Sequence, residues 1–221
     1  MKLAIFDFDG TLFPKETLPF LLMQWKKLHY SKSKYIKTYV SLITLYIKYK
    51  LGIESKFSRE QMKLMAVGKF NKIFEDLTEQ EIKEYFDKSA KALEGLLNKS
   101  VVSEVEAARE DGYHTVLLSG SYEYLLNNIG DYLKFDTVIG TKVYFNKNLY
   151  DSSKEPEIYS GESKLKKIYK EFKSIDWEAS RAYADSYSDI YLLQSVGQPV
   201  AVNPDTKLKT IAIELDWRII S

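Results

Sequence analysis

Hydrophobic positions change their rhythm twice along the chain. Residues 2–8, KLAIFDF, form a short apolar run that ends in acids and Gly10, the pattern of a buried strand feeding a turn. From about Thr17 to Lys91, long stretches lack Gly and Pro. Apolar residues there recur at helical spacing: Leu18, Leu21, Leu22 and Trp25, then Ile36, Tyr39, Val40, Ile43 and Ile47. Gly52 and Gly68 read as helix breaks. The pattern predicts an all-helical block of three to five helices.

Past about Ser100 a shorter alternation sets in. Helix is expected over 101–110, stopped by Asp111-Gly112, then a strand over 115–118 ending in Ser-Gly-Ser. A helix over 122–129 precedes Gly130, and 137–150 reads as strand material with a turn near 146–148. A Lys-rich helix over 163–172, a strand over 181–184 ending at Asp185, and a helix over 190–196 follow. A strand over 199–202 and a helix over 206–214 complete the chain. Strands alternating with helices predict an α/β fold, a Rossmann-like doubly wound parallel sheet covered on both faces. The helical block interrupts it directly after the first strand.

Composition narrows the chemistry. The 221 residues suit one domain, or one with a sizeable insert. With no Cys there is no disulfide, thiolate metal site or thiol nucleophile. Net charge is +1, but between Pro14 and Lys72 stand 13 Lys/Arg against 3 Asp/Glu, so the remainder is strongly acidic. Such a basic segment could attract anionic substrates, nucleic acid or an acidic membrane surface. Lysines solvating exposed helix faces are the plainer account, and no zinc-finger spacing or RNA-binding aromatic box accompanies the charge. The longest apolar stretch, residues 39–47, is too short to span a bilayer. No secretory signal is visible in MKLAIFDFDG, so a cytoplasmic protein is expected.

In an open α/β sheet, ligands bind outside the carboxyl ends of the strands. Three polar clusters fall there: Asp7-Phe8-Asp9-Gly10-Thr11, Ser119-Gly120-Ser121, and Asp185-Ser186-Tyr187-Ser188-Asp189. Carboxylates from two strand ends suit a hard cation such as Mg²⁺. Ser119 and the Gly120 N–H are expected at a helix N-terminus, an anion site. Acids, a divalent cation and an anion cradle together suggest phosphoryl chemistry, and a carboxylate can serve as its nucleophile. Taken singly, each cluster is as well explained as a turn or a helix cap. Their convergence on one sheet edge is the argument for a site.

The sequence resembles the haloacid dehalogenase superfamily of aspartate-nucleophile hydrolases, and within it subfamily IB, which includes phosphoserine phosphatases. The resemblance rests on DFDGTLF at 7–13, LLSGS at 117–121, GESKLKK at 161–167 and AYADSYSDIYLLQSVGQPVAVNPDTKL at 182–208. It implies a core domain of residues 1–13 and 92–221 and a helical cap of type C1 over residues 14–91. It also implies a Mg²⁺-dependent phosphomonoesterase with Asp7 as nucleophile, and with Asp9 as general acid and then base. Asp9 would also bind Mg²⁺ through its backbone carbonyl, Thr11 would orient Asp9, and Ser119 and Gly120 would bind phosphate oxygens. Lys164 would pair with the nucleophile. Asp7 and Asp185 would be direct Mg²⁺ ligands, with Asp189 behind them holding a metal-bound water or Lys164.

Substrate choice in this superfamily lies in the cap. Glu16 stands at the spacing at which phosphoserine phosphatases bind the substrate amine, and Arg59 is the lone cap arginine, a candidate for a carboxylate. Gly10 and Thr17-Leu18 depart from those enzymes' flanking residues. A small phosphorylated metabolite is therefore expected as substrate. Phosphoserine itself, or phosphotransfer by the same site, stands as the alternative. No nucleic acid and no stable membrane association are expected, His29 and His114 receive no role, and the oligomeric state is left open.

Overall fold

Leu3, Ala4, Ile5 and Phe6 are all fully buried and form β1 (Leu3–Phe6), the strand around which the molecule is built. Successive side chains on a strand point to opposite faces. Leu3 and Ile5 accordingly join one apolar cluster, while Ala4 and Phe6 join another. A parallel sheet buried on both faces requires such a run. The computed structural model describes residues 1–52 and 58–221, except for the side chain of Arg59.

After β1 come four inserted helices: α1 (Thr17–Lys27), α2 (Lys32–Lys50), α3 (Arg59–Asn71) and α4 (Glu79–Glu94). Ser58 and Thr78 start α3 and α4 with reciprocal capping boxes to Gln61 and Glu81, which satisfy otherwise orphaned amides. The chain continues through α5 (Lys99–Glu110), β2 (His114–Tyr122), α6 (Glu123–Leu133), β3 (Thr137–Thr141) and a small hairpin, β4 (Phe145–Asn146) with β5 (Leu149–Tyr150). It ends with α7 (Glu162–Glu171), β6 (Arg181–Ala184), α8 (Ile190–Leu193), β7 (Gln198–Val202), α9 (Thr206–Glu214) and β8 (Arg218–Ile220).

The main sheet has the order β3-β2-β1-β6-β7-β8, and every pairing in it is parallel. This is the expected doubly wound α/β sheet. β1 lies between β2 and β6, so the three polar clusters leave adjacent strands at the carboxyl edge. Apolar residues of α1, α3, α4, α5 and α6 share a single cluster with one face of the sheet, and α7, α8 and α9 cover the other. The insert is also tied to the hairpin, since Tyr150 N–H donates to Leu77 C=O at 2.9 Å and Glu79 N–H to Asn148 C=O at 3.1 Å. Among the described residues, no helix is long and apolar enough to cross a membrane.

Four expectations change. Gly68 lies inside α3 and Gly130 inside α6. A Cβ at Gly130 would collide with Val138 of β3, so this glycine allows helix and strand to approach closely. β2 runs on through Ser119-Gly120-Ser121 to Tyr122, with a register shift after Leu118. The helix expected over 190–196 is only Ile190–Leu193, preceded by a 3₁₀ turn at Tyr187–Asp189. β8 is an edge strand that the pattern did not announce.

Candidate active site

Asp7 directly follows β1, and its N–H still donates to Tyr183 C=O of β6, at 2.9 Å. The chain then turns sharply. Gly10 N–H donates to Phe13 C=O at 2.7 Å, and Phe13 N–H returns to Phe8 C=O at 2.8 Å. Gly10 makes the turn possible with φ +80°, and a Cβ there would run into the Asp185 carboxylate. Only glycine meets both conditions without strain. The turn lets Asp7 and Asp9, alternate residues in sequence, line one cavity.

Lys164 sits in the first turn of α7, and is buried while Lys166 and Lys170 on the same helix are exposed. Its Nζ lies 2.7 Å from Asp7 Oδ1 and 2.8 Å from Asp189 Oδ1. Burial works against its charge, but Asp189 and Asp7 outweigh it and hold the lysine pKa above its ordinary value. Burial drives the Asp7 carboxyl above its usual value, with Lys164 pulling the other way. Asp185 is pushed up to about 7, by burial first and then by the neighbouring Asp7 and Asp189. The loop that carries Asp185 and Asp189 is braced by Asp205, which accepts from Tyr187 N–H at 2.9 Å and from Ser186 Oγ at 3.2 Å.

Asp9 is held by a residue that the sequence did not single out. Thr17 N–H donates to Asp9 Oδ1 at 2.9 Å, and the Thr17 hydroxyl donates to the same oxygen. The Asp9 carboxyl is pushed up to about 7, chiefly by burial and then by the charge of Glu16, against the Thr17 hydrogen bonds. Thr11 is fully buried, and its hydroxyl has no hydrogen-bond partner among the described residues. The orienting bonds to Asp9 therefore come from Thr17 rather than Thr11.

Ser119 and Gly120 line the same cavity, but on the irregular end of β2 rather than in the first turn of a helix. Ser121 N–H donates to Ser119 Oγ at 3.1 Å, which leaves the Ser119 proton for another acceptor. A Cβ at Gly120 would stand 3.0 Å from the Ile158 side chain and 3.1 Å from the Tyr159 carbonyl oxygen, tighter than ordinary contact. From the insert, Glu16 and Lys63 reach the cavity. Lys63 was also unforeseen, and its charge acts on Asp7, Asp9 and Asp185. Arg59 begins α3, and its side chain lies outside the described residues.

The cavity has a volume of about 500 Å³. Asp7 and Asp189 line it, and they and Asp185 each offer a carboxylate oxygen, all within 4.8 Å of one another. Three acids face one buried lysine there, so the floor is short of positive charge. An all-oxygen set of this kind suits Mg²⁺. The Asp9 carboxylate, committed to Thr17, is not part of it.

The chain matches the family described as haloacid dehalogenase-like hydrolase over residues 4–194. It is 28% identical to the Inhibition of morphological differentiation protein of Streptomyces azureus, covering 98% of this chain and 77% of that one. It is 23% identical to a histidinol-phosphatase of Neisseria meningitidis serogroup C, covering 100% and 98%. Among solved structures, a protein of unknown function from Bordetella pertussis Tohama I superposes with a TM-score of 0.80 at 19% identity, covering 100% of this chain and 98% of its own. A phosphoserine phosphatase in a phospho-aspartyl intermediate analogue form superposes with a TM-score of 0.63 at 20% identity, covering 99% and 92%. The chain is a member of the haloacid dehalogenase-like hydrolase family.

Proposed function

We propose that the chain is a Mg²⁺-dependent phosphatase that hydrolyses a small phosphate monoester through a phosphoaspartate on Asp7. The observation that carries this reading is Lys164, buried and bridging Asp7 and Asp189 at the sheet edge. The histidinol-phosphatase relative and the phospho-aspartyl form of the phosphoserine phosphatase support it. Asp7, Asp185 and Asp189 would hold Mg²⁺, which supplies the positive charge that lets an anionic phosphate approach three carboxylates. Residues 14–91 serve as the cap over this floor.

The residues of the chain then divide the work. An Asp7 carboxylate oxygen bonds to phosphorus as the bond from phosphorus to the alcohol oxygen breaks. Asp9, whose pKa near 7 lets it carry a proton, gives that proton to the departing oxygen. The Ser119 hydroxyl and the Gly120 N–H bind the non-bridging oxygens. In the second half, Asp9 takes a proton from water, and the water oxygen bonds to phosphorus. The Asp7–phosphorus link breaks, and both carboxyls return to their starting states.

The test is hydrolysis of a generic aryl phosphate with Mg²⁺ present. Asp7→Asn and chelation by EDTA should each abolish phosphate release. Full activity in either case ends this reading.

A further inference from the structure

We propose that the alcohol half of the substrate is predominantly apolar and long enough to reach from Asp7 to α2; this rests on the phosphatase reading above. The cavity lining divides by origin, polar from the sheet edge and largely apolar from the insert. Its floor carries Asp7, Asp9, Ser119, Lys164 and Asp189, while Leu18, Leu22, Leu42, Leu45, Met62 and Val67 line it from α1, α2 and α3. Among the described residues, the insert contributes only two charged side chains to the lining, Glu16 and Lys63. The Thr17 hydroxyl is already committed to Asp9.

A sugar or amino-acid body would turn several donors and acceptors toward leucine and valine, and each unpaired polar group taken from water is costly. An alkyl or aryl body loses nothing there and gains by leaving water. The volume agrees, since about 500 Å³ lies within the roughly 300–1,000 Å³ of pockets that hold drug-sized ligands. A compact amino-acid phosphate would leave much of it unfilled. The mouth extends the same surface. Tyr39, Ile43 and Tyr46 recur at helical spacing on α2 and line the cavity, yet are 46%, 39% and 55% exposed. A continuous apolar stripe thus leads from the acids to solvent, and a chain longer than the cavity can run out along it.

The test is a series of n-alkyl phosphates from ethyl to octyl, with phosphoserine alongside, read as kcat/KM for phosphate release with Mg²⁺. The inference expects a rise of roughly threefold to fourfold per added methylene while the chain is still being buried, with phosphoserine below the longer esters. Ile43→Asn and Tyr46→Asn alter exposed positions, so they should keep the wild-type melting temperature and flatten the slope. Two sources of such an ester are separated by comparing monomeric octyl phosphate with phosphatidic acid in phosphatidylcholine vesicles. Preference for either one supports the inference and names the source. A flat or falling series, with aryl phosphate hydrolysis intact and still lost in Asp7→Asn, overturns the apolar substrate and leaves the phosphatase standing. No turnover of any ester overturns both.

Discussion

Thr17 grips the Asp9 carboxylate twice, through its amide at 2.9 Å and through its hydroxyl. Thr17 is the first residue of α1, the first inserted helix. The proposed proton donor is therefore anchored to the insert and not to the sheet, and displacement of α1 moves the proton donor with it.

Thr17→Val removes the hydroxyl and keeps the amide. A hydrogen bond to an ionisable group contributes about 1.5 kcal/mol, so kcat should fall roughly tenfold with KM little changed, and Thr17→Ser should restore it. Steady-state kinetics on an aryl phosphate provide the check. An unchanged kcat in Thr17→Val would mean that Asp9 does not need this hold.

Lys164→Met leaves Asp7 and Asp189 buried without their cation. Breaking a buried pair by removing one partner costs about 3 kcal/mol or more, visible in denaturant unfolding. Loss of the charge that positions the nucleophile should lower kcat by roughly a hundredfold to a thousandfold. Wild-type turnover in this variant would remove Lys164 from the chemistry.

Gly10→Ala meets two obstacles, a φ of +80° and a collision with the Asp185 carboxylate. Strain of this kind costs about 2 kcal/mol. Because the displaced group is a proposed ligand, calorimetry should also show weaker Mg²⁺ binding. A variant with unaltered stability and Mg²⁺ affinity would contradict the tight turn.

Glu104 ties α5 to two strands. It accepts from the Tyr183 hydroxyl at 2.9 Å, and both its oxygens are engaged by Arg218. Burial would raise its carboxyl, but Arg218 and Tyr183 outweigh burial and hold it below the ordinary 4.5. A carboxyl with a lowered folded-state pKa stabilises the fold above its unfolded pKa and stops doing so as pH falls through the folded one. Glu104→Gln should therefore cost about 1 kcal/mol at pH 7, and the gap to wild type should narrow as pH falls below the ordinary 4.5 and through the lowered folded-state value. Thermal melts across pH measure it, and a gap independent of pH would refute the ion-pair account.

The sheet and its acids were legible because parallel strands buried on both faces read as apolar runs, and the acids sit where those runs stop. Asp7, Asp9 and Asp185 were therefore visible at strand ends. The end of β2 was not, because Ser119-Gly120-Ser121 has the composition of a turn. It stays extended through bonds to its neighbours, including Thr141 Oγ1 donating to Gly120 C=O at 2.8 Å. β8 was missed because three residues on a sheet edge leave almost no periodic signal. Lys164 was named only through the family resemblance and Lys63 not at all, because each stands among many lysines and only the tertiary fold decides which one is turned inward. Thr17 carried a weak signal, a hydroxyl at a helix start eleven residues past the end of β1, with nothing in the sequence to point it at Asp9.

The central claim is that phosphorus passes through the carboxyl of Asp7. Acid quenching during turnover of a ³²P-labelled ester, followed by peptide mapping, tests it most directly. Label on the peptide containing Asp7, absent from Asp7→Asn, is the predicted result. Label on another residue, or none while phosphate is still released, would contradict it.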